Sequence, residues 1–287
     1  MNKIQIGDIA ISTVLESDHT LFDAEAFFPD ATPELFEKEC SWMAPGLFDR
    51  ERNSIICTIQ GYVFRAGGLN VLVDTCVGND KEGRSQPAWN NAQFPWLDNL
   101  VGAGFAPEDI DIVLCTHLHV DHVGWNTRLE NGEWVPTFPT AQYLTTAVEL
   151  ENLQHRSDSG PPIFRTFYED SVLPVIKAGQ SVLVGNDHKI ADGVCLESLP
   201  GHTPDHMGVK IVSGGQTALA IGDAMHHPIQ ALYPDWNSQH CADGLLASQT
   251  RRSLLEEVCD SPVQVLPAHF NPCHVTRRGE EYWIDFG

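Results

Sequence analysis

The segment Thr116-His117-Leu118-His119-Val120-Asp121-His122 places four metal-binding side chains, three His and one Asp, within six residues. It follows the apolar run Ile112-Val113-Leu114-Cys115, which is typical of a buried strand, and it precedes Gly124. A turn that faces a hydrophobic core has no packing use for four polar or charged groups. Imidazole nitrogens and carboxylate oxygens are usual ligands of zinc-class metal ions. The segment therefore predicts a metal site at the end of a strand.

Three further polar residues follow apolar strand patterns later in the chain: His202 after 194–199, Asp223 after 217–221 and His269 after 263–266. Loops that leave the same edge of a layered sheet converge, so residues far apart in sequence can meet around one site. The predicted metal ligands are His117, His119, Asp121, His122, His202, Asp223 and His269. Five histidines and two aspartates suffice for two ions with an open position on each.

The pattern outside the ligand loops predicts strands mixed with helices. Residues 55–65 and 71–73 form a predicted hairpin around Gly67-Gly68-Leu69-Asn70, which ends at Asp74. Further strands are predicted near 112–115, 181–184, 194–199, 208–213, 217–221 and 263–266, and helices near 96–103, 146–155 and 245–258. This mixture indicates an α/β or α+β layered fold. Without repeats or linkers, we expect residues 1–287 to form a single domain.

Residues 15–54 differ from the rest of the predicted domain. They are rich in aromatic residues set among Pro, Asp and Glu, with no clean helical or strand period. We interpret them as an aromatic N-terminal arm. The arm either forms a wall of a substrate pocket or packs on the sheet or on a second copy of the chain, so a homodimer stays open.

Composition excludes several classes of protein. With 42% hydrophobic residues the chain is not disordered, and its formal net charge of −22 with no basic cluster argues against nucleic acid as a partner. The start has no secretory signal pattern, and no stretch approaches the ~20 apolar residues of a membrane span. Eight scattered cysteines without a Cys-x-x-Cys pair read as reduced thiols. We expect a cytoplasmic protein with a small-molecule substrate and no membrane partner.

The ligand segment, together with Gly201-His202, Gly222-Asp223, Ala268-His269 and the earlier Leu72-Val73-Asp74-Thr75, resembles the metallo-β-lactamase superfamily in order and spacing. The resemblance runs from about residue 55 to about residue 275. It implies an αβ/βα sandwich, in which two mixed β-sheets lie face to face with helices outside and the metals at one sheet edge.

The resemblance also implies a ligand assignment. His117, His119 and His202 would hold one ion, and Asp121, His122 and His269 the other. Asp223 would bridge both. The implied cofactors are two divalent ions, with zinc first and Mn, Fe or Co as alternatives, because affinity alone does not decide which metal a cell supplies.

Three residues near these ligands have expected roles outside the ligand set. Asp74 is expected to support the ligand loop by hydrogen bonding without ligating. His206 is expected to be structural. Relatives commonly carry Gly where this chain has Asp205, which leaves open either an altered turn or an extra acid near the ligands.

Such a centre predicts metal-assisted hydrolysis through attack of a metal-bridging hydroxide. Asp121 or a nearby acid would shuttle a proton to the leaving group, and Asp223 would hold both ions. Acyl-homoserine lactonases in the superfamily typically place Tyr three residues after the bridging Asp, where this chain has His226, which we expect to donate a hydrogen bond to the substrate oxyanion. The run from Gly222 to His227 looks closer to the methyl parathion hydrolase-like branch, whose members act on organophosphate triesters, aryl esters or lactones.

The leading hypothesis is hydrolysis of a small neutral ester, lactone or phosphotriester, which an acidic surface does not repel. One alternative is a glyoxalase-II-like thioesterase or a β-lactam hydrolase, but anionic glutathione thioesters need basic residues, and only Lys210 and Arg277-Arg278 offer them. A non-hydrolytic alternative is an iron-dependent redox protein. Against it, the chain has no flavin-bearing extension and retains both implied ligand sets.

Overall fold

Two β-sheets stacked face to face form the framework of the chain, in a computed structural model that describes residues 3–43 and 46–287. The strands are β1 (Lys3–Ile6), β2 (Ile9–Asp23), β3 (Phe48–Asp49), β4 (Ser54–Ala66), β5 (Leu69–Val73), β6 (Ile112–Leu114), β7 (Thr127–Glu130), β8 (Glu133–Pro136), β9 (Gln142–Thr145), β10 (Ser181–Leu183), β11 (Lys189–Ala191), β12 (Val194–Ser198), β13 (Met207–Ser213), β14 (Gln216–Gly222), β15 (Gln264–Pro267), β16 (His274–Arg278) and β17 (Glu281–Asp285). The helices are α1 (Ala24–Phe27), α2 (Pro33–Met43), α3 (Trp96–Gly102), α4 (Ala147–Ser159), α5 (Pro162–Phe167), α6 (Leu173–Lys177), α7 (Ile229–Leu232) and α8 (Gly244–Val258). A π-helical turn, Tyr168–Val172, joins α5 to α6.

Both sheets are mixed. The larger has the order β1-β2-β4-β5-β6-β9-β10, with β3 paired to β4. Its strands are parallel from β5 to β10 and antiparallel elsewhere. The second has the order β11-β12-β13-β14-β15, in which only the β14–β15 pair is parallel. The predicted hairpin is the antiparallel pair β4–β5.

The hydrophobic core lies in three layers. Between the sheets, Phe64 and Leu114 of the larger sheet pack with Val209 and Leu266 of the second, and all four are buried. The outer face of the larger sheet is covered by α3, α4 and α6, whose buried side chains include Trp96, Leu100, Leu153 and Val175. The outer face of the second sheet is covered by α8 through Leu254, Leu255 and Val258. The predicted αβ/βα sandwich is therefore confirmed.

The aromatic segment 15–54 is not wholly an arm. Residues 15–23 belong to β2, which pairs with β4 along its length. The β2–β4 register shifts between Leu15 and Ser17 and again between Ser17 and Thr20. These irregularities interrupt the alternation of apolar and polar residues that would have marked a strand in the sequence. The rest of the segment supplies α1, α2 and β3, whose apolar residues form a separate buried cluster.

The topology directs the ligand loops to one edge. Asp74 follows β5 and the 116–122 loop follows β6, and these two strands are parallel neighbours. In the second sheet β12, β14 and β15 run in the same direction, and they are followed by His202, Asp223 and His269. Loops that leave strands of one direction emerge at the same end, so these residues meet there. Across the part of the chain that the structure describes, no helix is both long enough and apolar enough to cross a membrane.

Candidate metal centre

The structure brings all seven predicted ligand residues together at this edge. They form two groups, and in each group one ligand atom per residue lies within 4.8 Å of the others. The first group is His117, His119, His202 and Asp223, and the second is Asp121, His122 and His269. His117 and His122 are fully buried, whereas Asp121 and His119 are partly exposed and reach the cavity described below.

Asp223, a member of the first group, also faces the second. Its Oδ1 atom is 2.9 Å from Nε2 of His269 and 3.2 Å from Nε2 of His122. Its Oδ2 atom is 3.2 Å from Nε2 of His202 and 3.6 Å from Nε2 of His117. Each carboxylate oxygen therefore faces a different group, so that one side chain contacts both.

The first group fits a divalent cation. Burial lowers the pKa of His117, His119 and His202 well below the ordinary value, so each ring is neutral and offers a lone pair. Nδ1 of His119 and Nε2 of His202 lie 2.9 Å apart. Nε2 of His117 is buried without a hydrogen-bond partner among the described residues, an arrangement that is costly unless another group completes it. A metal ion would satisfy these nitrogens.

The second group is more negative. Burial lowers the pKa of His122, but the carboxylates of Asp223, Asp74 and Asp121 outweigh burial and raise that pKa well above the ordinary value. His269 behaves similarly, with Asp223 as the main opposing charge. Burial raises the pKa of Asp223, but the surrounding imidazoles outweigh it and hold that pKa well below the usual range. The ionised carboxylates favour a positive charge at this position, which a divalent ion would supply.

Asp74 supports the ligand loop without belonging to either group. Its Oδ1 atom accepts a hydrogen bond of 2.7 Å from the backbone N–H of Thr116, and Oγ1 of Thr116 lies 3.1 Å from both oxygens. Its Oδ2 atom is 3.0 Å from Nδ1 of His122. An ionised carboxylate beside Nδ1 keeps a proton on that atom, which leaves Nε2 free for a metal.

We expect Asp74→Asn to weaken metal binding by the second group about 10- to 100-fold. The asparagine oxygen would keep the Thr116 hydrogen bond, and its NH2 group would then face Nδ1 of His122 and favour the wrong tautomer. Competition with a chelator, titrated against zinc-loaded protein, measures the change. Asp111→Asn is a matched control, because Asp111 accepts a 2.8 Å hydrogen bond from the backbone of Asn70 at the other end of β5. Equal affinities in the two variants would contradict the supporting role.

Two further supporting residues lie close to the ligands. Glu149 on α4 is buried and accepts hydrogen bonds from the backbone N–H groups of Leu118 (3.5 Å) and Asp205 (2.9 Å), which ties the first ligand loop to the His202 loop. Nε2 of His206 accepts a 2.9 Å hydrogen bond from the backbone of Asp223. Burial lowers the pKa of His206 to about 4, so the ring remains a neutral acceptor. His206 thus has a positioning contact, whereas sequence analysis did not identify Glu149.

Two local details explain the turns. Gly222 has φ of +46°, and a Cβ atom there would lie 2.6 Å from both Nε2 of His206 and Oγ1 of Thr116, so only glycine fits before Asp223. The carboxylate of Asp205 accepts a hydrogen bond of 3.2 Å from the side chain of Asn186. Asp205 is absent from both candidate ligand groups found among the described residues.

A cavity of about 550 Å³ opens onto the two groups. Phe22 and Phe27, which sequence analysis considered for a pocket wall, do line it. Of the other aromatic residues considered, Phe28 and Phe48 are buried in the cluster with Phe36, and Trp42 packs against Trp283. Further apolar walls come from Trp89 and from Ile163, Phe164 and Phe167, which lie in the segment 155–175 that was expected to shape the pocket.

An ion cluster holds two of these walls together. Arg84 donates two hydrogen bonds of 2.9 Å to the carboxylate of Asp170. Nζ of Lys81 donates to Oγ1 of Thr127 at 2.6 Å and to the backbone oxygen of Asp170 at 3.1 Å, and burial is the main reason that the pKa of Lys81 falls to about 7. The cluster joins the loop that contains Trp89 to the π-helical turn Tyr168–Val172, which directly follows α5.

His226 lies inside the cluster of ligand residues. Its side chain is buried, lines the cavity and has Nε2 3.2 Å from Oδ2 of Asp223. Its ring is parallel to that of His269 at 5.7 Å and is contacted edge-on by Phe27 at 5.4 Å. Burial lowers the pKa of His226, so the imidazole is neutral and can donate one N–H. This placement is compatible with the predicted donor role.

The chain resembles known proteins over part of its length. An N-acyl homoserine lactonase of a Bacillus species is 28% identical over 112 residues, which are 39% of this chain and 37% of that protein. A ribonuclease of Thermus thermophilus is 29% identical over 198 residues, 67% of this chain and 41% of that protein. The matches thus span less than half the length of each relative.

Structural comparison gives a likeness over nearly the whole chain. AidC, described as a dizinc quorum-quenching lactonase, superposes with a TM-score of 0.78 at 18% identity, covering 99% of this chain and 96% of that one. Among family models, the one described as the Metallo-beta-lactamase superfamily matches residues 57–269, which is more than half of the chain and includes all the ligand loops. On its sequence, its fold and this cluster of histidines and aspartates, the chain belongs to the metallo-beta-lactamase superfamily.

Proposed function

We propose that the protein is a metal-dependent hydrolase with two divalent ions, zinc in the first instance. His117, His119 and His202 would hold one ion, and Asp121, His122 and His269 the other. The observation that carries the proposal is the position of Asp223, whose two carboxylate oxygens face the two groups at 2.9–3.6 Å. This position supports Asp223 as the residue that would hold both ions.

When bound, a pair of divalent ions lowers the pKa of water and polarises the oxygen of a carbonyl or phosphoryl group. Residues of the chain would transfer the proton, stabilise the oxyanion and hold the substrate. Asp121 is partly exposed to the cavity, where its carboxylate can accept a proton and pass it to the leaving group. His226 would donate an imidazole N–H to the substrate oxygen that becomes negative. Phe22, Phe27 and Trp89 would hold the apolar part of the substrate and exclude water.

The substrate we propose is a small ester, lactone or phosphotriester that is uncharged at the group to be cleaved. A cavity of about 550 Å³ has the size of a small-molecule site. A net charge of −22 disfavours polyanions. The lactonase relative and the structural likeness to AidC favour a lactone among the three classes.

The thioesterase alternative has less support from the structure. Lys210 pairs with Glu257 at 3.4 Å, and Arg277 pairs with Glu256 at 2.8 Å. Neither basic residue is among those that line the cavity. A glutathione thioester, which carries two carboxylates, would therefore find only one lysine or arginine, Arg156, among the described residues that line the cavity.

One assay tests the proposal. Zinc-loaded protein and its Asp121→Ala variant are compared on an acyl-homoserine lactone, an aromatic lactone, a phosphotriester, an aryl ester, a β-lactam and a glutathione thioester. We expect turnover of at least one of the first four, lowered about 100-fold or more in the variant. Turnover of the thioester or β-lactam alone would favour the alternative hydrolases. If none of the six compounds is turned over, the proposal is contradicted, and iron content and oxygen consumption should be measured next.

A further inference from the structure

Arg156 on α4 is the only lysine or arginine among the described residues that line the cavity. Its guanidinium lies over the ring of Phe164, with Cζ 3.6 Å from the ring centroid. The side chain is partly buried. A cation is therefore built into the wall of the same cavity that holds the two ligand groups.

Apart from the Phe164 ring, this guanidinium has no partner among the described residues. No carboxylate oxygen of the described residues lies within the 4.0 Å of an ion pair, and none of its N–H groups makes a hydrogen bond to them. Glu149, two helical turns earlier, is the acid that acts on Arg156 electrostatically, but its carboxylate accepts from the Leu118 and Asp205 backbones. In a chain with 39 acidic and 17 basic residues, an unpaired arginine in a cavity is unexpected.

The guanidinium is held over the face of the Phe164 ring, with Cζ 3.6 Å from the centroid, and its N–H donors make no hydrogen bond to the described residues. These donors form a rigid fork that matches the two oxygens of a carboxylate. Because Arg156, Asp121 and Asp223 line one cavity, a ligand that reaches the ligand groups also comes near this fork.

We propose that Arg156 binds a carboxylate of the substrate that is remote from the group to be hydrolysed. The inference rests on the proposed function and refines it: the substrate is uncharged at the scissile ester or lactone but carries one carboxylate elsewhere. One carboxylate fits better than a doubly charged phosphate, since a single guanidinium faces it and the net charge of −22 opposes each further negative charge. The aromatic walls favour an aryl group between the two ends.

The test uses two esters that differ in one charge, para-acetoxybenzoate and para-acetoxybenzamide. For Arg156→Gln we expect kcat/KM on the benzoate to fall about 10- to 100-fold, the usual range for a hydrogen bond to a charged group, and kcat/KM on the benzamide to change less than about 3-fold. Arg156→Lys should recover part of the benzoate rate, because it restores the charge without the fork. Arg165→Gln is the matched control: Arg165 on α5 donates to the backbone of Ser157 at 3.3 Å and does not line the cavity.

Calorimetric titration of the zinc-loaded protein with para-hydroxybenzoate separates this inference from the proposed function. If the wild type hydrolyses neither ester, the proposed ester hydrolysis is contradicted. The arginine site is still supported if Arg156→Gln binds para-hydroxybenzoate about 10-fold more weakly than wild type does. Equal losses on both esters, or a benzoate affinity unchanged in the variant because the carboxylate docks elsewhere, would overturn it. Matching thermal midpoints for the three variants and wild type confirm that the fold is intact.

Discussion

Replacing Asp223 with asparagine should leave one tightly bound divalent ion per chain instead of two and lower kcat/KM about 1,000-fold or more. Loss of a residue that only supports a ligand costs about 10- to 100-fold, and a shared ligand should cost more. Both oxygens of Asp223 face ring nitrogens, at 2.9 Å for His269 and 3.2 Å for His202. An asparagine offers one oxygen and one NH2 group, so it can serve only one ion and opposes the other.

Metal content after dialysis, measured by plasma mass spectrometry beside the kinetics, checks this result. Asp205→Asn is the control, since Asp205 lies on a neighbouring loop with its carboxylate on Asn186 at 3.2 Å and should retain both ions and near-normal rates. Circular dichroism would show that Asp223→Asn remains folded. Two ions with a rate within about tenfold of wild type would contradict the bridging role.

The ligand positions are predictable from sequence because each follows a strand whose apolar pattern is local. The runs before His117, His202, Asp223 and His269 fall on β6, β12, β14 and β15, and topology then gathers their ends at one edge. Dense polar residues directly after a buried strand have no packing explanation, which makes them visible without any structure. The β4–β5 hairpin and α8 are also predicted close to their observed bounds, because their apolar patterns are local too.

The residues that hold the ligand loops in place without ligating have no comparable pattern in the sequence. Glu16 is buried and accepts hydrogen bonds from the backbone of Val77 at 2.8 Å and of Gly78 at 3.0 Å, and from Nε1 of Trp125 at 2.8 Å. These partners lie 61 to 109 residues away along the chain. Its neighbours in β2 show no regular alternation because the strand bulges there. A single Glu in such a stretch looks like any solvated acid, and only tertiary structure reveals its partners.

The cavity walls were only partly predictable for a related reason. The aromatic segment was recognisable by composition, but whether a given ring faces the cavity or the interior depends on the packing of α1 and α2. Phe27 faces His226, whereas the adjacent Phe28 points to Trp236. The opposite wall, which includes Phe164, comes from helices after residue 160 that no clear periodicity announced. The sequence alone therefore does not show that Arg156 lies against an aromatic wall of the cavity.

His226→Ala should lower kcat about 100- to 1,000-fold while both metal ions stay bound and KM changes less than about 3-fold. This is the usual cost of removing one hydrogen-bond donor to a developing oxyanion. The residue is suited to the role because its Nε2 atom lies 3.2 Å from Asp223 at the cavity floor and burial keeps its ring neutral. A donor that acts on charge formed during reaction should change kcat rather than substrate affinity.

Saturation kinetics on the best substrate of the panel, with metal content measured on the same samples, separate the possible roles of His226. His226→Gln supplies an amide N–H near the lost imidazole N–H and should recover at least about tenfold of the rate, which a purely structural role would not require. An unchanged kcat with substrate in excess would show that His226 is not the donor. If bound zinc falls in parallel with kcat, His226 is instead a metal ligand. An oxyanion donor acts only on bound substrate, so its loss should leave the metal content unchanged.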